Sequence, residues 1–504
     1  MKKSIITLFT VVSLLFSGCK LDVEPSDAIS TNTLTTTSDG LTNALNGAYA
    51  LFKDHIVFNG VEDQNNMYLR QYFQLSDFAS DDIASGQVTT DPLYYSFSLT
   101  HTASQSNTRY FWYASYKIIN GVNTVISAVE SAGTQDATKQ QLLGECYFLR
   151  AFNHFNLVRL FAKPYTHNPS APGIVLRTSL TDDAQKPRAT VAEVYASVIA
   201  DAENAASLMT QPRGVQYASK EAAWALLSRV YLYMNDYAKC IEYSNMVINS
   251  GRFTLTTAAT YPSLFANAAT GSETIFCVAF TESDDYGKFG SIASMIYSDG
   301  NSGWGEEFVS QSLRNLMAAH PEDIRWSYIV PGKDASNNIK KLNGMEAYYI
   351  TKFSFQGGSP NLSSPIMFRL SEMYLNKAEA EAKSGANPAA LNDVDMIRKN
   401  RGLQASLYNG SAPSGLSVLD VVLNERRIEL AFEGHRNFDV YRNKRNMNRT
   451  YWGYHLPGLK ETDIDLSKAP SGYNNMVVSW ESPRIIYYLP IDEVLSNKLV
   501  TQNP

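Results

Sequence analysis

Between residues 219 and 251 the chain repeats apolar positions with a helical period twice over. Ala222, Leu226 and Val230 share one stripe, Ala238, Ile241 and Ile248 share a second, and Asn235-Asp236 supplies a turn between them. The spacing predicts two amphipathic helices packed as a pair. Helical spacing also marks residues 41–56, 109–131, 137–162, 190–209, 365–384, 388–400 and 416–434. Two stretches break the pattern. Residues 65–95 mix aromatic residues with amides and carboxylates without a period and read as loops, where binding residues collect. Residues 253–345 hold short apolar runs, such as 273–276 and 278–280, interrupted by Gly, Ser, Asp and Asn, which predicts loops, a small sheet and a few short helices.

Within the helix pair, Trp224, Leu227, Ser228 and Tyr231 match the W-x2-L-G-x2-Y signature of a tetratricopeptide (TPR) helix, with serine where a small residue lets the partner helix approach. Cys240 stands where the signature has alanine. The L-small-x2-Y core recurs at Leu143-Gly144 with Tyr147 and at Leu370-Ser371 with Tyr374. The copies are not whole multiples of the roughly 34-residue TPR period apart, which predicts a degenerate helical-repeat scaffold broken by insertions. Ordinary helix pairing without true repeats fits the same pattern. The fold class is therefore mainly α, a TPR-like helix-pair scaffold with an irregular loop-rich insertion and little β structure.

Composition is that of a globular chain, 44% hydrophobic and 18% charged over 504 residues, and the net charge of -6 leaves no basic surplus for nucleic acid. The amino terminus changes the picture more. MKKSIITLFTVVSLLFSGC has a basic start, an apolar run too short to span a bilayer, and small residues directly before Cys19. It reads as a secretory signal of the lipoprotein type, with Cys19 lipidated as the first mature residue and a Ser/Thr-rich tether following. The remaining cysteines, Cys146, Cys240 and Cys277, have no metal-ligand spacing and suit neither a disulfide framework nor a zinc site. The expected organisation is a signal peptide over 1–18, lipidated cysteine and tether over 19–38, a helical region over 39–252, the insertion and ligand face over 253–345, and a C-terminal region over 346–504.

Catalytic and cofactor motifs are absent from the sequence: no H-E-x-x-H, G-x-S-x-G, phosphate loop or EF-hand occurs, so neither an enzyme nor a cofactor is expected. Glu425, Glu429 and Glu433 follow a helical repeat and could be paired carboxylates for glycosidic chemistry, but the neighbouring Arg426, Arg427 and Arg436 favour ion pairs that fasten the helix. A better signal lies in aromatic residues beside polar ones. A sugar ring offers apolar C–H faces to a flat side chain and hydroxyl edges to amides, carboxylates and guanidiniums. Asn66, Tyr68 and Arg70 in one stretch, and Tyr297, Asn301 and Trp304 in another, supply that chemistry, with Gly300 and Gly303 shaping a loop that would display Trp304. Trp112 and Trp224 fall in helical runs and read as core.

Four pieces together resemble the SusD/RagB family of outer-membrane nutrient-binding lipoproteins: the Cys19 lipobox, RLSEMYLNKAEAEAKSG ending in IRKNRG, NERRIELAFEGHRNFDVYR at 424–442, and the terminal YYLPIDEVLSNKLVTQNP. The resemblance implies an α-helical fold whose TPR-like pairs support an irregular ligand face. It also implies a lipid-anchored, surface-exposed protein of the outer membrane that acts as a lid on a SusC-like TonB-dependent transporter, catching glycans or, in some members, peptides. A surface hydrolase and a protein-only TPR adaptor are the rival readings.

Overall fold

The computed structural model describes residues 37–58, 67–86, 94–133, 136–342, 345–449 and 477–504. Cys19, the signal segment, the expected tether as far as residue 36 and Asn66 lie outside them, while Thr37 and Ser38, placed at the end of the tether, already cap and begin the first helix. The fold is mainly α. Among the described residues it is carried chiefly by α1 (Ser38–Ala50), α2 (Tyr68–Asp77), α3 (Ser106–Ser131), α4 (Ala137–Phe161), α5 (Val191–Leu208), α6 (Lys220–Met234), α7 (Tyr237–Ile248), α8 (Leu370–Lys383), α9 (Asn387–Asn400), α10 (Val418–Glu429) and α11 (Arg436–Arg442), with shorter helical turns between them. From α3 to α10 each helix packs on the next, so α4/α5, α6/α7 and α8/α9 stack as pairs, and α7 meets α8 across the whole insertion. No helix among the described residues is long and apolar enough to cross a membrane.

The expected pair at 219–251 is α6 and α7, and its ends follow from local chemistry. Ser219 caps α6 by accepting from the Ala222 amide, Asn235 leaves the helix in the left-handed conformation at φ 63°, and Asp236 caps α7 by accepting from the Lys239 amide. The small residues of the recurring motif sit where helices touch. A Cβ on Gly144 would lie 2.6 Å from Met209 Cγ at the end of α5, and Ser228 Oγ meets Ser244 Oγ of α7 at 2.8 Å. Asn376 of α8 donates to the same Ser228 hydroxyl, tying the second pair to the third. Leu227 and Trp112 are buried, whereas Trp224 is half-buried against the core, with Lys220 Nζ 5.5 Å from its ring.

Two sequence expectations need correction here. Residues 365–384 are not one helix: Ile366–Arg369 is a buried strand paired antiparallel with Thr274–Cys277, and α8 begins only at Leu370. The continuous apolar run after Pro365 is satisfied by a sheet partner that the helical period of the following residues concealed. Likewise the helix expected over 416–434 stops at Glu429. Phe432 and Gly434 take φ of 69° and 78°, and a Cβ on Gly434 would press to 2.9 Å from the Tyr72 ring.

Around that break lies a buried network of charge. Glu429 meets Arg369 at 2.6 Å, Arg401 at 2.7 Å and Arg325 at 3.1 Å; Glu433 meets Lys352 at 2.6 Å and Arg369 at 2.7 Å; Glu425 meets Arg325 at 2.7 Å and Arg398 at 3.0 Å; and Glu273 completes the ring on Arg369 and Arg401. All of these side chains are buried. The ion-pair reading of the glutamates therefore holds, but the partners differ from those the sequence suggested. Arg426 pairs with Asp439, and Arg427 and Arg436 pair with Asp81 and Asp82. Burial alone would raise the Glu429 carboxyl, but the Arg401, Arg369 and Arg325 guanidiniums outweigh it and hold it well below the usual range. Because Arg325 and Lys352 come from the insertion and its exit, this network fixes that irregular part to the helical stack.

Candidate functional site

Two residues beyond Arg325, and one before Lys352, the chain lines a cleft of about 470 Å³. Its frame is a hairpin in which Ile329–Pro331 pairs antiparallel with Tyr348–Ile350. Tyr349 is slotted into this frame: a Cβ on either Gly305 or Gly332 would lie 2.6 Å from its ring, so both neighbours must be glycine for the ring to sit there. Tyr297 meets Tyr349 at 6.4 Å and Phe355 at 5.4 Å between ring centroids, both edge to face. Phe355 is 42% exposed and holds a left-handed φ of 71°. For a bulky residue that conformation costs about 1–3 kcal/mol and is characteristic of sites where surroundings impose it. Its amide bonds the Ser359 carbonyl at 2.7 Å, which closes the turn.

Polar groups complete the wall. Ser298, Ser327, Thr351 and Ser354 contribute hydroxyls, and among the described residues neither Tyr349 Oη nor Ser354 Oγ has a hydrogen-bond partner. Asp299, Lys333 and Lys340 are the charged lining residues. Asp299 is committed to its own loop: it accepts from the Asn301 amide at 2.8 Å and from the Ser302 amide and hydroxyl at 2.7 and 2.8 Å, and bonding to the Ser302 amide leads the effects that hold its carboxyl below the ordinary value.

The sequence-predicted residues separate into three groups. Tyr297 lines the cleft, and Asn301 is exposed at the tip of its loop. Trp304 is displayed, 44% exposed, but outside the cleft lining. It stands edge to face with Phe289, 5.6 Å between centroids, and Lys288 Nζ lies 4.1 Å from its ring. The two aromatic surfaces share one stem, because a Cβ on Gly303 would fall 2.0 Å from the Tyr297 carbonyl oxygen. Tyr68 and Arg70 are not on a loop. They open α2, a helix buried along its whole length, and are 0% and 2% exposed. Tyr68 Oη accepts from Asn156 at 3.1 Å and its ring packs on Phe52 and Phe111, so no ligand reaches it. Several of the polar groups that suggested a surface loop find partners inside instead: Asn107 donates to Gln71 at 2.7 Å, and Asp77 accepts the Gly434 amide at 2.8 Å.

Sequence reading missed Tyr349, Phe355 and Phe289. The one local signal was the Gly357-Gly358 pair just past Phe355, which marks a turn able to display that ring. The expected ligand face over 253–345 thus stops short of two of the four aromatic residues, Tyr297, Tyr328, Tyr349 and Phe355, that line the cleft.

Comparison with known proteins agrees with this architecture. The family model described as "Starch-binding associating with outer membrane" matches residues 21–232, and the SusD family model matches residues 296–504. SusD-like protein P38 of Formosa agariphila is 26% identical over 486 residues, covering 87% of this chain and 90% of that protein. SusD-like protein P2 of the same organism is 27% identical, covering 88% and 91%. Among solved structures, a SusD superfamily protein from Bacteroides thetaiotaomicron is 29% identical with a TM-score of 0.80, covering 93% of this chain and 100% of the other. The chain belongs to the SusD/RagB family.

Proposed function

We propose that this chain is a lipid-anchored, surface-exposed, non-catalytic protein of the outer membrane that captures oligosaccharides and passes them to a SusC-like TonB-dependent transporter. The observation that carries the reading is the cleft: Tyr297 and Phe355 offer ring faces and edges for the C–H surfaces of a sugar, while the exposed Ser327 and the half-buried Ser298 bring hydroxyls to the same wall. The starch-binding, outer-membrane description of the family model matching residues 21–232 supports the glycan class and the address. Cys19 is the proposed lipid site, and the insertion together with residues 349–355 is the proposed ligand face. Binding without turnover is supported by the carboxylates. Glycosidases of the usual kind need two near the bond, whereas Asp299 is the sole carboxylate residue lining the cleft among the described residues, and Glu425, Glu429 and Glu433 are buried in ion pairs.

Calorimetric titration of the mature chain with oligosaccharides and length-matched peptides tests this. Expected are glycan binding, loss of it in Phe355→Ala, and unchanged glycan by product analysis after long incubation. Peptide binding in place of glycan, or released sugar products, would reject the reading. The anchor is tested separately by Cys19→Ala, which should leave the membrane fraction in cells lacking the transporter.

A further inference from the structure

The two cations in the cleft wall are conspicuous in a chain of net charge -6 whose interior cations are met by carboxylates. Lys333 and Lys340 lie on adjacent strands of one small ladder. The Lys340 amide donates to the Gly332 carbonyl at 2.8 Å, and Lys333 bridges Ile339. Gly332, between Pro331 and Lys333, is the residue pressed against the Tyr349 ring, so the ladder carries both lysines at the aromatic wall. Neither ammonium forms an ion pair among the described residues. The acids beside them are hydrogen-bonded within their own turns, although Asp334 also lies within reach of the Lys333 charge. Asp299 is bonded to its own loop amides, and Asp334, next to Lys333, accepts from the Ser336 and Asn338 amides at 2.8 and 2.9 Å within its turn. A third cation, Lys288, lies over Trp304 on the neighbouring aromatic surface. With two lysines against one carboxylate, itself bonded to its own loop, the cleft wall carries net positive charge, which concentrates ligands of the opposite sign.

Resting on the oligosaccharide reading of this cleft, we propose that its cargo is an acidic oligosaccharide, whose carboxylate or sulfate groups meet Lys333 and Lys340 while the sugar rings lie against Tyr297 and Phe355. A lysine ammonium is a compact charge with three rotatable donors, which accommodates a uronate carboxylate and a sulfate ester alike.

The test titrates the mature chain with oligogalacturonate, a sulfated galactan oligosaccharide and a maltooligosaccharide of equal length, at low and at high salt, alongside Lys333→Gln/Lys340→Gln and Phe355→Ala proteins whose folding is checked by thermal melts. The expected result is that at least one acidic sugar binds about tenfold or more tighter than the neutral one, that added salt erodes the difference, and that the double lysine variant brings the ratio close to one. The uronate and sulfate arms identify which anion is preferred. Equal affinity for the neutral sugar, salt-insensitive binding, or an undiminished acidic preference in the double variant would overturn the proposal, as would tighter binding of a polyglutamate peptide. Phe355→Ala separates the two readings. Full binding of all sugars by that variant removes the cleft as the site, whereas loss there with a retained acidic preference in the lysine variant removes only the role of the lysines.

Discussion

Arg70 Nη1 donates to the Phe289 carbonyl at 2.9 Å, so a guanidinium inside the core holds the backbone of a residue that is 58% exposed. Phe289 in turn edges Trp304, and the backbone of Trp304 is held by the Ser294 carbonyl at 2.7 Å. The buried helix α2 therefore reaches the proposed ligand face through this hydrogen bond, as it also does through Phe73, whose ring lies 4.7 Å from that of Phe353. Arg70→Leu should loosen residues 287–305, seen as faster amide hydrogen exchange in that segment than in α6 and α7. Unchanged protection of 287–305 in the folded variant would mean that the segment is fixed by its other contacts alone.

The interior ring of charge leads to a second expectation. Glu429 faces three guanidiniums in a space closed to water, so Glu429→Gln removes the anion and leaves buried positive charge with too little compensation. The expected loss is roughly 3–5 kcal/mol of folding stability, because breaking one side of a buried ion pair costs more than the pair itself contributes. Denaturant titration with an unchanged midpoint would contradict this.

How far this was legible beforehand depends on whether a feature is local. Leu227, Ser228 and Tyr231 carry their own period and the small residue at the helix contact, so α6 and α7 could be read with their turn. That Glu425, Glu429 and Glu433 would be paired followed from charge alone. Which cations pair with them did not, since Arg325, Arg369, Arg398 and Arg401 come from segments that meet only in the folded chain. Residues 68–77 were misread because polar residues inside a core look like surface until their partners are known. In the cleft, Tyr297 was visible from its loop, while Tyr349 depends on a strand pairing and two glycines distant in sequence.

A pH dependence arises on the third helix pair, where Glu381 of α8 faces Asp393 of α9 with Lys377 3.7 Å and 3.1 Å from them. Burial, with the neighbouring Asp393 carboxyl, pushes Glu381 up to about 7, and burial raises Asp393 as well. A carboxyl that holds its proton more tightly folded than unfolded contributes stability in full below its unfolded pKa. That contribution is lost as pH rises through the folded value. Between about pH 5 and about pH 8 the wild-type melting temperature should therefore fall through this pair, and Glu381→Gln, which cannot ionise, should flatten that slope. Parallel slopes for the two proteins would rule out this pair as the cause.

Trp304 offers the most direct separation of binding from packing. It is 44% exposed and its ring touches Phe289 and Lys288 rather than the hydrophobic core, so Trp304→Ala removes contacts with surface side chains and leaves no cavity in the core. If its ring extends the cleft surface toward a longer oligosaccharide, the variant should lose about 1–3 kcal/mol of affinity, the size typical of truncating an aromatic anchor at a binding site. The melting temperature should stay close to wild type, since surface substitutions away from such anchors usually change stability by no more than about 0.5 kcal/mol. Chain length supplies the control. Because Trp304 lies outside the cleft that Tyr297 and Phe355 line, a short oligosaccharide should bind both proteins alike, and only a longer one should tell them apart. Equal affinity of the two proteins for every length would confine the site to the cleft and leave the Phe289–Trp304 pair without a part in glycan binding.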